Sequence, residues 1–226
     1  MPVSFLTEEQ ERRYGRYCGE PSPEQLARYF YLDDADRDLI SQRRGNHMRL
    51  GFAVQLCTVR FLGTFLDNPT EVPPGAAGVL AKQLGITDAA DPLVRYLSSE
   101  RRRDHTVEIR ERQGYRIFAE PSRQWRLLRW LYALCWTGTD RPSVLFDQAT
   151  AWLVTHKVLL PGASVLERTI ARVRFRANSR LWRLLAAIIT SDQKERLDAL
   201  LVVPEGARQS PMDRLRSGPT LQSTAE

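Results

Sequence analysis

Five arginines recur at three- or four-residue intervals near the end of the chain, where their side chains could bind phosphate. They are Arg168, Arg172, Arg176, Arg180 and Arg183. A guanidinium carries a planar fork of N–H donors that matches two phosphate oxygens at once. Like charges four residues apart on a helix repel each other, so this spacing is unfavourable unless an anion lies against it. The pattern favours contact with a polyanion, and a solvated or internally paired basic face is the alternative.

A long amphipathic helix must position these arginines. Apolar residues follow the same three-four spacing on the opposite side of residues 164–189, namely Leu166, Ile170, Val173, Ala177, Leu181, Leu184 and Ile188. This period predicts one continuous helix whose apolar face is buried along its whole length. The arginines would then point away from the core.

Two smaller basic clusters add candidates for phosphate or groove contact. One lies near residue 101, at the start of the basic stretch and within a predicted helix, where Glu108 and Glu111 offer internal pairing as the alternative. The other lies just before and within the first turn of a predicted core helix, as in helix-turn-helix units. The predicted DNA-contacting residues are Arg43, Arg44, Arg49, Arg101, Arg102, Arg103, Arg168, Arg172, Arg176 and Arg180.

The positive charge is concentrated in one part of the chain. Residues 101–183 hold 17 basic and 7 acidic residues, a net charge of +10, whereas the whole 226-residue chain carries +6. Such a local positive field is typical of a nucleic-acid footprint. Only Lys82, Lys157 and Lys194 are lysines among 33 basic residues. A GC-rich codon bias explains that preference for arginine equally well.

The sequence offers little for catalysis. Its three histidines, His47, His105 and His156, lie beside no nucleophile motif, and no glycine-rich phosphate loop is present. Paired metal-binding carboxylates remain an alternative because 27 acidic residues are available. Such carboxylates usually stand on a sheet-containing core, and strand patterns are scarce here. We predict no catalytic residue, no metal site and no cofactor.

The cysteines and the N-terminus indicate where the protein resides. Cys18, Cys57 and Cys135 are far apart and form no C-x-x-C pair, which argues against a disulfide framework or a zinc site. The first residues lack the basic start and apolar middle of a secretion signal, and no apolar run reaches membrane-spanning length. We therefore expect a cytoplasmic protein with no membrane partner.

Helical periodicity dominates the chain, so we predict an all-α, multi-helix fold. Capping residues mark helix starts at Thr7, Ser22 and Asp33, where capping is favoured over metal binding for the Asp33–Asp36 cluster. Further helices are predicted at 47–62, 76–84, 91–113, 122–136, 143–156 and 192–201. The five tryptophans, Trp125, Trp130, Trp136, Trp152 and Trp182, are predicted to pack in cores rather than stack on bases.

Turn residues at 87–92, where the charge balance also changes, predict a domain boundary. We predict an N-terminal helical DNA-binding module at residues 1–88 and a second, arginine-rich helical module at 89–216. Both would be helix-turn-helix-like. Residues 217–226 are rich in Ser, Thr and Gln and are predicted to be a disordered tail or a truncated linker.

Several short stretches in a fixed order carry a resemblance to a known family. They are Arg44-Gly45, Arg49-Leu50-Gly51-Phe52-Ala53, Gln55-Leu56-Cys57, Arg60-Phe61-Leu62-Gly63, Val72-Pro73, Gln83-Leu84-Gly85, Tyr96, Arg103, His105, Glu108-Ile109, Gly114-Tyr115, Leu159-Leu160-Pro161-Gly162, Leu166-Glu167-Arg168 and Asp213-Arg214-Leu215-Arg216. Together they span about Phe5 to Arg216. The set resembles the N-terminal region of the replicative transposases of class II, inverted-repeat transposons, the Tn-three family.

The resemblance implies a region that binds the terminal inverted repeats of a transposon during DNA transposition. The expected partner is double-stranded DNA at transposon ends. Catalysis in that family belongs to acidic residues of an RNase H-like domain much further along, so the resemblance assigns no catalytic residue here. The chain would be a truncated copy, a fragment or a separately encoded part. Two alternatives stay open: a regulatory fragment that pairs with full-length transposase or with itself, and an active nuclease or complete transposase.

Overall fold

The computed structural model describes residues 5–216, apart from the side chain of Arg123, and the described chain is all-α as predicted. Seven helices make up its first part: α1 (Glu8–Arg13), α2 (Pro23–Tyr29), α3 (Asp34–Ser41), α4 (Asn46–Leu62), α5 (Pro74–Gln83), α6 (Ala90–Leu97) and α7 (Arg102–Gln113). Five follow: α8 (Pro121–Thr137), α9 (Pro142–Thr155), α10 (Ala163–Ile188), α11 (Ser191–Ala199) and α12 (Pro211–Arg216). A short 3-10 turn covers Pro69–Glu71.

The predicted helix caps are confirmed at the first three helices. Thr7, Ser22 and Asp33 each accept a hydrogen bond from the backbone N–H three residues later, and the side chain there bonds back to the cap. Each capping box satisfies two helix-end donors that otherwise lack partners. The acidic Asp33–Asp36 cluster therefore serves a helix start, as its sequence indicates.

Helix α4 is the centre of the first hydrophobic cluster. Every residue from Leu50 to Val59 is buried, because α2, α3, α5, α6 and α7 surround the helix. Buried Gln55 donates to the carbonyl oxygen of Leu66 at 2.8 Å and accepts from its N–H at 3.0 Å. These two hydrogen bonds fix the position of the loop that follows the helix. Gly63 ends the helix in the left-handed conformation, with φ 75°.

A second hydrophobic cluster joins α8, α9 and the first half of α10. Its buried centre contains Leu127, Leu131, Phe146, Leu153, Leu166 and Ile170. The start of the chain packs against the same cluster. The N–H of Phe5 donates to Glu167 Oε1 at 3.2 Å, and the Tyr14 hydroxyl donates to the carbonyl oxygen of Pro161 at 2.8 Å. Residues that are far apart in sequence therefore share this core.

The single helix predicted at 91–113 is wrong, because the chain turns between α6 and α7. The Ser98 hydroxyl donates to the carbonyl oxygen of Arg95 at 3.0 Å, and Ser99 Oγ accepts from the N–H of Arg101 at 3.3 Å. Serine side chains compete in this way with the backbone bonds of a continuing helix. The turn lets both helices pack against α4.

The described chain forms two compact units, the first ending at Phe175 and the second beginning at Arg176. The division falls inside α10. Within the described part of the second unit, Ala177 and Ser210 are the buried residues. The predicted module boundary near residue 88 stays a prediction. Residues 217–226, predicted to be a tail or linker, lie outside the described residues.

The prediction that the apolar face of α10 is buried throughout is wrong for its second half. Leu166, Ile170, Val173 and Ala177 are buried. In contrast, Leu181, Leu184 and Ile188 are 36%, 46% and 76% exposed. Periodicity shows which side of a helix is apolar, but a covering surface must come from residues elsewhere.

The tryptophan prediction is also partly wrong. Trp130 and Trp152 pack together beside the second cluster, with ring centroids 6.2 Å apart. Trp125 and Trp182, however, are 65% and 69% exposed. None of the described helices is both long and apolar enough to cross a membrane.

Candidate nucleic-acid interface

Helix α10 places two of the predicted arginines on an open surface of the first unit. Arg168 and Arg172 are both exposed. The Nε of Arg168 donates to the carbonyl oxygen of Ser164 at 3.0 Å, one turn earlier in the helix. Within the described chain, no carboxylate forms an ion pair with either guanidinium. Their charges are available to an external anion.

The opposite side of the helix holds this face in place. Leu166, Ile170 and Val173 are buried in the second hydrophobic cluster, against residues of α8 and α9. A helix turns about 100° per residue, which sets Arg168 about 160° from Leu166 and Ile170 and about 140° from Val173. Burial of the apolar face therefore fixes the direction of the arginine face.

The second unit also contains predicted contact residues. Arg176 and Arg180 are exposed there, and Arg180 takes part in a contact within the chain. Arg183 is exposed too, and its Nε donates to the carbonyl oxygen of Ser179 at 3.2 Å.

The three arginines at the start of α7 differ in exposure and in their contacts. Arg101 and Arg103 are exposed, and neither forms an ion pair within the described chain. Arg102 is half-buried, and its guanidinium donates to the carbonyl oxygens of Asp67 at 2.8 Å and Leu97 at 3.4 Å. Arg102 therefore ties a loop to the α6–α7 turn.

The cluster before α4 divides in the same way. Arg44 is exposed in the turn between α3 and α4. Arg43 donates to Glu108 at 2.5 Å and lies 4.7 Å from the Phe52 ring centroid. The Nε atoms of Arg43 and Arg49 are buried. Arg43 thus links α7 to α4 inside the first cluster.

Sequence reasoning missed a third exposed group, on α8. Trp125, Arg126 and Arg129 are exposed, while Leu127 and Leu131 are buried. The signal was present in the sequence, because the two leucines four residues apart set the phase of the helix. The prediction that the tryptophans pack in cores excluded Trp125 from the candidate surface residues. The group combines two cations with an aromatic surface.

Two of the three cysteines are at least partly buried, which favours their protonated thiol form. Burial raises the pKa of the Cys57 thiol to about 12, which disfavours the reactive thiolate. Burial also raises the pKa of Cys135. All three cysteines are unpaired by disulfides. Among residues 5–216, no group of three or more His, Cys, Asp and Glu side chains is arranged to hold a metal ion.

Comparison with known proteins assigns the chain to a family. Residues 5–173 match a family described as a domain of unknown function, DUF4158. The chain belongs to the DUF4158 family.

Named relatives of this DUF4158 chain are transposases. The chain is 48% identical over 224 residues to the transposase for transposon gamma-delta of Escherichia coli (strain K12), covering 99% of this chain and 22% of that protein. It is 34% identical over 223 residues to the transposase for transposon Tn501 of Pseudomonas aeruginosa, covering 97% and 22%. The transposase for transposon Tn21 of Escherichia coli is 32% identical over 200 residues, covering 88% and 20%.

These similarities confirm the predicted resemblance to the N-terminal region of Tn-three family transposases. The chain spans about a fifth of the length of the relatives it matches. The activity and partners of a whole transposase are therefore matters for proposal.

Several residues that carry the family resemblance meet in one packed group of the DUF4158 fold. The ring of Tyr96, on α6, lies directly over Gly51 of α4, where a side chain would overlap it. The Tyr96 hydroxyl and His105 Nδ1 are 3.1 Å apart, and Phe52 lies edge-on to the imidazole at 5.1 Å. Burial, reinforced by the positive charge of Arg43, lowers the pKa of His105. This group joins α4, α6 and α7.

Proposed function

We propose that this chain binds double-stranded DNA at the terminal inverted repeats of a transposon, as the DNA-binding part of a transposition system. The observation that carries the proposal is the exposed pair Arg168 and Arg172, held outward on α10 by the buried opposite face. The relatives are by name transposases of individual transposons, which supports a role in transposition. Guanidinium groups that form no ion pair within the described chain suit phosphate.

Burial divides the ten predicted contact residues between two roles. We propose the seven exposed ones as phosphate or groove contacts: Arg44, Arg101, Arg103, Arg168, Arg172, Arg176 and Arg180. The other three, Arg43, Arg49 and Arg102, are half-buried. We propose that these three position the helices that carry the exposed set.

In this function the two helical modules, residues 1–88 and 89–216, are helix-turn-helix-like and bind the same duplex. We expect this binding to take place in the cytoplasm. The tight four-residue turn between α6 and α7, which places Arg101 and Arg103 at a helix start, supports such a unit. Backbone N–H groups at a helix start also favour a phosphate.

Salt dependence tests the proposal directly. Binding of the 226-residue chain is measured on a labelled duplex with the neighbouring transposon end and on a scrambled duplex, across several salt concentrations. Each phosphate contact contributes a slope of about −0.9 in log affinity against log salt. The double variant Arg168→Gln, Arg172→Gln is expected to bind both duplexes more weakly and to lose about 1.8 from that slope.

A matched pair of arginines on α1 serves as the control. Arg12 and Arg13 are exposed like the tested pair, so Arg12→Gln, Arg13→Gln removes equal charge elsewhere. The control should keep the wild-type slope. A flat salt response of the wild-type chain, or equal loss in both variants, contradicts the assigned face.

The chain in this proposal contributes binding and no chemistry. We expect the purified protein to leave a transposon-end duplex intact in buffer with Mg²⁺ or Mn²⁺. Metal-dependent nicking that persists through purification and is lost on substitution of an acidic residue would instead favour an enzyme.

Exposed apolar side chains in the second unit support a second candidate, pairing with another transposase copy. Trp182, Ile188, Leu201 and Val202 are all exposed there, and such groupings often mark protein contacts. A tagged copy should capture an untagged one in the absence of DNA, and Trp182→Ser with Ile188→Ser should reduce capture. Monomeric behaviour at all concentrations argues against this role.

A further inference from the structure

Phe175 is the most exposed large aromatic side chain in the described part of the chain, at 73%. Isolated apolar residues on surfaces are common and need no special role. Its position on the helix is what distinguishes it. At about 100° per residue, Phe175 lies about 20° from Arg168 and about 60° from Arg172 around the axis of α10.

The same geometry sets Phe175 directly opposite the core. It lies about 180° from Leu166 and about 160° from Val173, both of which are buried. A residue at the margin of a buried face can be partly covered by neighbouring side chains, but Phe175 is at the centre of the outward face. The phenyl ring therefore lies in the same outward direction as the Arg168 side chain.

The shape of DNA selects one groove for such a face. An α-helix with its side chains is about 10–12 Å across, which fits the major groove at about 12 Å and not the minor groove at about 6 Å. With arginines on the phosphates, the residue at the centre of the face reaches the base edges. A phenyl ring forms no conventional hydrogen bond, and the apolar group in that groove is the C5 methyl of thymine.

We propose that Phe175 contacts a thymine methyl group in the major groove and so contributes base preference to the arginine face of α10. This inference rests on the proposed function, in which Arg168 and Arg172 bind the phosphates of the same duplex. The arginines supply affinity that depends on salt, and the phenyl ring adds a contact that depends on sequence.

Replacement of thymine by deoxyuridine tests the contact, because deoxyuridine pairs identically but lacks the methyl group. Affinity is measured for duplexes carrying the neighbouring transposon end, first with all thymines replaced and then with single replacements. The wild-type chain should lose about fourfold in affinity at one or two positions, equivalent to about 0.8 kcal/mol for one buried methyl group. Phe175→Ala should bind duplexes with thymine and with deoxyuridine at those positions with equal affinity.

Two measurements make the result specific to Phe175. The salt slope of Phe175→Ala should match the wild type, because the substitution leaves the charge unchanged. Tyr31→Ala, which removes another exposed ring, should retain the wild-type response to deoxyuridine. Circular dichroism and thermal unfolding of each variant show that the fold is kept.

The outcomes separate this inference from the proposal on which it depends. Salt-sensitive binding with no response to deoxyuridine, or an equal response in wild type and Phe175→Ala, overturns the thymine contact and leaves DNA binding intact. Absence of salt-sensitive binding in the wild-type chain overturns the proposed function, and the thymine contact with it.

Discussion

Charged side chains in this DUF4158 chain have two distinct environments. Arg60 forms a bidentate pair with buried Asp36 at 2.7 and 2.6 Å, and Arg43 pairs with Glu108. These contacts join helices of the first cluster. Arg168 and Arg172 instead face solvent without ion pairs in the described chain. Residue type alone does not distinguish the two groups, because all four are arginines.

Removal of Arg60 should destabilise the fold strongly, because it leaves the buried Asp36 carboxylate without its partner. Breaking a buried pair in this way costs about 3 kcal/mol. We expect Arg60→Met to lower the free energy of unfolding by about that amount in urea denaturation. Arg13→Met removes an exposed pair with Glu9 and should cost about 0.5 kcal/mol or less. Equal losses of unfolding free energy in the two variants would contradict the conclusion that the buried Asp36 carboxylate depends on Arg60.

His105 should make stability depend on pH on the acidic side of neutrality. Burial holds its pKa in the folded state below the ordinary 6.5, so the unfolded chain binds the proton more readily. The free energy of unfolding should therefore decrease as pH falls below about 6.5. In urea denaturation at pH 7 and pH 5, His105→Gln should show a smaller decrease than the wild type. An identical decrease in both proteins would show that His105 contributes nothing.

At the scale of the elements, helices α4 and α6 pack against each other at Gly51 and Tyr96. Gly51 provides the space into which the ring of Tyr96 packs. Because glycine has no side chain, the ring packs directly on the α4 backbone, and the α6–α7 turn then brings His105 beside the same ring. The first cluster is therefore organised around a small residue in the middle of a buried helix, where glycine would otherwise be unfavourable.

A methyl group at Gly51 should disrupt this crossing. Gly51→Ala forces the Tyr96 ring or helix α6 to move, and overpacking of this kind costs about 1–3 kcal/mol. Gly78→Ala is the matched control, because Gly78 lies within α5 with open space around it. That control should gain about 0.5–1 kcal/mol from the higher helix propensity of alanine. Thermal unfolding should show a lower stability for Gly51→Ala and a higher stability for Gly78→Ala. Stabilisation by Gly51→Ala would contradict the tight packing of Tyr96 on Gly51.

At the scale of the whole molecule, the two compact units differ in how much they bury. The first unit contains both hydrophobic clusters, and its N-terminal segment packs with residues beyond position 118. In the described part of the second unit, nearly all apolar side chains are exposed. Conformational entropy opposes the folding of any segment, and little buried surface is available in this unit to offset it.

Hydrogen exchange should reveal that difference. Amides of α4 are expected to exchange only through global unfolding, because the helix is buried on all sides. Amides of α11 and residues 200–203 should exchange through local opening, with protection at least about 100-fold lower. Exchange followed by mass spectrometry in the absence of DNA gives both values. Comparable protection in the two regions would mean that the second unit is stabilised by contacts not apparent from its burial.

The sequence by itself determined the helical class, most helix positions, the three helix-capping residues and the family. It also placed Arg168 and Arg172 opposite an apolar face. These features depend on residues within one or two helical turns, so periodicity and capping chemistry are sufficient to predict them. The break between α6 and α7 at Ser98–Arg101 was not predicted, because serine can either stay in a helix or form a hydrogen bond with the nearby backbone.

Only the tertiary structure decided which arginines are engaged inside the fold and which apolar faces are covered. Arg43 meets Glu108 across 65 positions of sequence, and Tyr96 meets Gly51 across two helices. No local pattern encodes such a pairing, because its free energy depends on the partner that folding brings near. For the same reason, the apolar stripe of α10 is buried from Leu166 to Ala177 and exposed from Leu181 onward, although its three-four spacing is the same throughout.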